Sequence, residues 1–184
     1  MKTILPLFLA ALASAQAPSV SVSWDVAQAT VALASQAARL APILEQLTPA
    51  AWVEQGAPDA YITQWRGARD ELGSLAESAR GFERAPEKLT AALDTYFRLQ
   101  SLERQLVSLA DGVRKYQNPA VGDLLLAVMG ENTSNREGLK QYISDLASQK
   151  EQELSVADRE AQRCRVNLNK QPAPVPPPAK RNKQ

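Results

Sequence analysis

The chain contains no histidine, and that absence narrows its chemistry more than any motif it carries. Imidazole is the side chain that titrates near neutral pH, so a His general base and Ser–His or Cys–His nucleophiles are excluded. One cysteine, Cys164, allows no internal disulfide, and without His it leaves too few ligands for a transition-metal site. The Glu-x-x-His pairs of a di-iron bundle cannot be formed. No run of acids at alternating positions makes a calcium loop, and no glycine-rich phosphate loop occurs. Carboxylates remain as candidates for chemistry: Glu103, beside the apolar seam of the central helix, and Asp94, Asp111 and Asp123 nearby. The expectation is a protein that is not an enzyme and takes no cofactor.

Aromatics are scarce, at 5% of the chain, while Ala and Leu carry most of a 45% hydrophobic share. That balance favours helices over sheets. Long apolar runs are scarce too. The run Ile4–Leu12 follows Lys2 and precedes Ala13-Ser14-Ala15, the small-x-small pattern of a signal-peptide cleavage site, so residues 1–15 read as an export leader with Gln16 as the mature start. The run is too short to span a bilayer, and no Cys follows it for lipid attachment. A short Lys-led leader suits a bacterial envelope, periplasmic or secreted.

Net charge is lacking as well. Without Lys2 the chain has 20 basic and 20 acidic residues, unevenly placed: residues 16–160 carry −6 and residues 161–184 carry +6. Nucleic acid is not expected as a partner of an exported chain with no net charge. The basic end, QPAPVPPPAKRNKQ, has five prolines within 172–178 and reads as an extended, disordered tail over 171–184. Its Lys180, Arg181 and Lys183 suit contact with an anionic envelope polymer, a membrane surface or a proline-reading partner; a plain solvated spacer is the simpler alternative.

What is present is helical periodicity. From Leu89 to Tyr116, apolar residues at 89, 92, 96, 99, 102, 106, 109, 113 and 116 keep one face, with a stammer between Leu99 and Leu102. A second seam runs Tyr61, Trp65, Ala68, Leu72, Leu75, Ala79, Phe82, with Arg66–Asp70 as an i,i+4 pair on its wet face. Pro86, at a helix start, keeps the connection between these two helices short, which makes them antiparallel neighbours. An earlier helix, capped by Ser23 with Asp25 in its first turn, runs through Trp24, Val31, Ala34, Ala38, Leu40 and Leu44; Pro42 predicts a kink or break near Ala38–Ala41. Thr48-Pro49 and Asn118-Pro119 each open a short helix. The second, rich in Leu124, Leu125, Leu126, Val128 and Met129, is expected to lid one end of the bundle, with an exposed docking patch as the alternative.

A capping box, Ser134 to Glu137, opens a last long helix through Leu139, Tyr142, Ile143, Leu146, Leu154, Ala157, Ala161, Cys164 and Leu168, thin in apolar residues over 148–153. The register predicts Cys164 as a small buried hydrophobe; an intermolecular disulfide and a reactive thiol are the alternatives. Asn132-Thr133-Ser134 matches a glycosylation sequon, a pattern common by chance.

These readings define an all-α, up-and-down bundle of four long and two short helices over residues 16–170, between a leader and a tail. Trp24, Trp52, Tyr61 and Trp65 form the aromatic core cluster or, beside the Pro42 kink, line an apolar-ligand slot. The function expected is an exported scaffold or interaction module with a protein or envelope-polymer partner. A carrier of a small apolar ligand comes second and a carboxylate-only enzyme third.

Overall fold

The computed structural model describes residues 24–170, all helical apart from short connections. The leader, Ser23 and the proline-rich tail lie outside the described residues. Six helices follow in order: α1 Val26–Glu45, α2 Pro49–Glu54, α3 Ala60–Arg84, α4 Leu89–Tyr116, α5 Pro119–Gly130 and α6 Thr133–Lys170. Four are long and two short, and the whole is an all-α bundle.

The central helix α4 has the bounds its periodicity predicts, and it buries Ala92, Leu99, Leu102, Leu106, Leu109 and Val113 on one face. Its partner α3 buries Ala68, Leu72, Leu75, Ala79 and Phe82. Cross-contacts run in opposite senses along the two helices: Gln64 meets Ser108, Glu71 meets Arg98, and Ser78 meets Asp94 and Thr95. They are therefore antiparallel, joined through residues 85–88. Pro86 lies in that turn, ahead of the first residue of α4.

In α1 the seam differs from the expected one. Val31, Ala34 and Ala38 are exposed, and the buried set is Ala29, Thr30, Leu33, Gln36, Ala37, Leu40, Ile43 and Leu44. That set places the larger aliphatic side chains inside; its polar members Thr30 and Gln36 hid it from a hydrophobic pattern. The cap is Asp25, whose carboxylate accepts from the Gln28 amide at 3.1 Å. Trp24 precedes the helix. Pro42 does not break α1, because it sits in the last turn with its ring exposed, and the Ala38 carbonyl it deprives of a donor lies on an exposed residue open to water.

The fourth wall of the bundle is made in two pieces. Helix α5 does not lid an end; it lies along α4, antiparallel, with Gly122 against the Ala110 carbonyl and Arg114, and Arg114 paired to Asp123. Helix α6 continues in the same sense: Arg136 pairs with Glu103, and six residues later the Tyr142 hydroxyl donates to the Pro86 carbonyl. The column α5–α6 thus runs the length of α4 with a break at Glu131–Asn132. No capping box forms there. Ser134 is already inside α6, Glu137 pairs with Arg136, and Thr133 donates back to the Gly130 carbonyl at 2.8 Å. The near-continuous helix leaves little for a cap to satisfy, because the Arg136 amide already donates to the Asn132 carbonyl.

Past Leu146 the last helix leaves the body. Every residue from 151 to 170 is exposed, including Cys164, which corrects the expectation of a buried thiol. At ~1.5 Å per residue this is a rod of roughly 30 Å beyond the bundle.

The close approach of α5 to α4 depends on Gly122. A β-carbon there would meet the Ala110 carbonyl oxygen at 2.8 Å and Arg114 Cγ at 2.6 Å, and the former, being backbone, cannot swing away. Gly122→Ala is expected to lower stability by about 1–3 kcal/mol in urea titration. Gly73→Ala in α3, where an added carbon meets nothing within 4 Å, is expected to raise it by roughly 0.5–1 kcal/mol.

Candidate interaction surface

The four aromatic residues singled out by sequence are not brought to one place. Trp52 and Tyr61 meet edge to face with ring centroids 5.7 Å apart, and Tyr61 meets Tyr116 at 6.2 Å. Trp65 packs on the same core cluster; its Nε1 donates to the Leu44 carbonyl at 2.7 Å, and Arg69 lies over its ring at 4.9 Å. Trp24 sits at the other end of the bundle, with Phe82 at 6.3 Å and Tyr142 at 5.6 Å. The spacing between α1 and α3 explains this: they are antiparallel, so a residue before α1 faces the end of α3, not its start.

The Trp52 end is tightly knit. Trp52 is wholly buried, and its Nε1 donates at 3.1 Å to Gln117 Oε1, which also accepts from the Thr48 amide and hydroxyl. Gln117 Nε2 closes the clasp on the Gln46 carbonyl at 3.0 Å. One carboxamide thereby joins the ends of α1, α2 and α4. Nothing in an apolar pattern marks Gln117; only its place at a helix end hints at a capping role.

The space beside Pro42 is an open cleft of about 590 Å³ lined by Ala41, Glu45, Arg66, Arg69, Asp70, Leu72 and Gly73. Four of these seven side chains are charged, a lining for water and ions. Arg66 and Asp70 both face it, and no salt bridge joins them at 4.0 Å or less.

The candidate carboxylates are all engaged in the scaffold. Glu103 accepts from Arg136 at 2.9 Å, which raises the guanidinium's already high pKa. Asp111 and Asp123 share Arg114. Asp94 accepts from Ser78 and from Arg98; chiefly the Ser78 hydroxyl, against a burial cost, holds it below the ordinary carboxylate value. Among the described residues no three acidic, Cys or His side chains gather at metal-binding distance.

Two polar residues whose structural role no motif reveals hold the break in the fourth wall. Gln36, buried in α1, donates through Nε2 to the Val128 carbonyl at 2.8 Å and the Met129 carbonyl at 3.0 Å. Asn132 donates to the Ala32 carbonyl at 3.3 Å, accepts from Asn135, and is 5% exposed, so the sequon asparagine is enclosed and its amide already used. Arg39 pairs with Glu131 across the same joint.

What remains open is the rod. Residues 151–170 expose Leu154 at 71% and Leu168 at 65%, with Val156 and Val166 about half exposed. Their helix is held by its own bonds: Lys150 to Glu153, Gln149 to Glu153 and Gln162 to Asp158. No family model, no curated protein and no solved structure matches this chain. No helix among the described residues is long and apolar enough to cross a membrane.

Two measurements probe the scaffold beneath this surface. Gln36→Leu strands the buried Val128 carbonyl and the partly buried Met129 carbonyl and is expected to cost about 1–3 kcal/mol in chemical denaturation. The stability carried by ionised Asp94 is present above its ordinary pKa of 3.8 and fades as pH falls through the lowered native value. Ser78→Ala should therefore flatten the loss of melting temperature below about pH 4, compared with the unaltered chain.

Proposed function

We propose that this chain is an exported, non-catalytic scaffold or interaction module of the bacterial cell envelope. It presents the α6 rod to a partner and tethers through its basic, proline-rich end. The rod carries this reading. A 20-residue helix standing clear of its own core, with leucines in water, gains its stability and its use from contact with something else. The packed aromatic ends, the charged cleft beside Pro42 and the ion-paired carboxylates support a body built for rigidity. Lys2, the apolar run Ile4–Leu12 and the Ala13–Ala15 pattern support export.

Expression with the native leader, followed by cell fractionation and native mass spectrometry, tests the reading. The expected species begins at Gln16, is found outside the cytoplasm and carries no bound small molecule. In situ cross-linking of the whole chain and of a version ending at residue 150 should then differ, with adducts lost from the shorter one. An uncleaved cytoplasmic chain would overturn the envelope role. Identical cross-linking of both versions would overturn the rod as the contact surface, and an extractable mass of a few hundred daltons would turn attention to a carrier.

A further inference from the structure

The exposed rod has a seam of its own. Leu154, Ala157, Ala161, Cys164 and Leu168 are spaced 3, 4, 3, 4, the heptad spacing that keeps one stripe facing a partner helix in a left-handed coiled coil. All five are exposed, and no part of the body reaches them. Lys150, one heptad before Ala157, marks the seam's polar start, and Val156 and Val166 fall outside the stripe. The stripe's middle is small: Ala157, Ala161 and Cys164 let two helices approach closely, and the leucines close its ends.

The rod's charge is divided as sharply. Residues 151–160 hold Glu151, Glu153, Asp158 and Glu160 against Arg159, a net −3; residues 161–170 hold Arg163, Arg165 and Lys170, a net +3. A rod acidic over one half and basic over the other complements a copy of itself laid in reverse. We propose that residues 155–170 pair with the same segment of a second copy of this chain as an antiparallel two-helix coiled coil. This deepens the scaffold reading and rests on it only for the rod being a contact surface; export plays no part.

The flanking residues fix the register. With the two-fold axis between residues 162 and 163, Ala161 packs on Cys164 of the partner subunit and Ala157 on the partner's Leu168. Asp158 then lies beside the partner's Arg165, twice per dimer, and Glu160 faces the neutral Asn167 of the partner subunit. Sliding the axis to residue 159 sets Asp158 against the partner's Asp158 and Glu160 against the partner's Glu160. A parallel pair gains Glu160 with the partner's Arg165 but opposes Glu153 to the partner's Asp158, and it stacks Cys164 on the partner's Cys164. Only the first arrangement has attraction without repulsion.

Sedimentation equilibrium of the mature chain, with charge swaps at these exposed positions, tests the proposal. A dimer is expected in the micromolar range. Asp158→Arg and Arg165→Asp should each raise its dissociation constant roughly tenfold, and the double swap should restore it. Circular dichroism unchanged among the four proteins assigns the shift to association and not to unfolding. A monomer throughout the micromolar range would overturn the proposal while leaving the envelope reading to its own test. Tighter association of Asp158→Arg, with Cys164 cross-linking the unaltered chain under oxidised glutathione, would replace it with a parallel pair.

Discussion

Two carbonyl oxygens at the end of α5 and the single carboxamide that holds them decide how this bundle is closed. A helix that stops beside a core leaves its last carbonyls without donors, and unpaired they cost as much as several methylenes of burial gain. Gln36 reaches from the middle of α1 to the Val128 and Met129 carbonyls, so α5 can end halfway along α4 without that penalty. Once α5 ends there, α6 must begin there, and Asn132, Arg39 and the Arg136–Glu103 pair fix its starting point. The length left over after α6 has covered the rest of α4 is the rod. The projecting surface is a geometric consequence of where the fourth wall is broken.

Much of this was legible in the chain. The bounds of α4 and the seam of α3 follow from apolar spacing because both helices bury a continuous stripe of large side chains. The seam of α1 was misplaced because Thr30 and Gln36 interrupt it with polar atoms whose partners lie some hundred residues away or in the helix's own backbone. Periodicity registers only which side chains are apolar, not which polar ones find donors or acceptors after folding. The same limit explains Gln117, Asn132 and the role of α5 as a wall.

The opposite error occurred in α6. A periodic stripe from Leu139 to Leu168 looks alike whether the covering surface belongs to the same chain or to another, so Cys164 read as core. Its exposure is decided by length: α4 is 28 residues and α6 is 38, and α5 has already used the first part of the wall. Counting helical rise along the column, more than pattern, separates the packed part from the free part.

The core itself is unevenly divided. One large cluster joins α1, α2, α3, α4 and α5, while the base of α6 rests on a small one of Phe82, Ala92 and Leu139 with Trp24 and Tyr142 against it. Trp24 packs close against α6 at Gly138, where a β-carbon would come within 2.4 Å of its ring. In mechanical terms the rod is a lever of roughly 30 Å whose base rests beside the smaller cluster. Any force on the rod enters the body through the base of α6, whose buried residues are Leu146 and Leu139, and so meets the small cluster before the large one. The rod is thereby mounted on the end of the bundle that has the smaller share of the core.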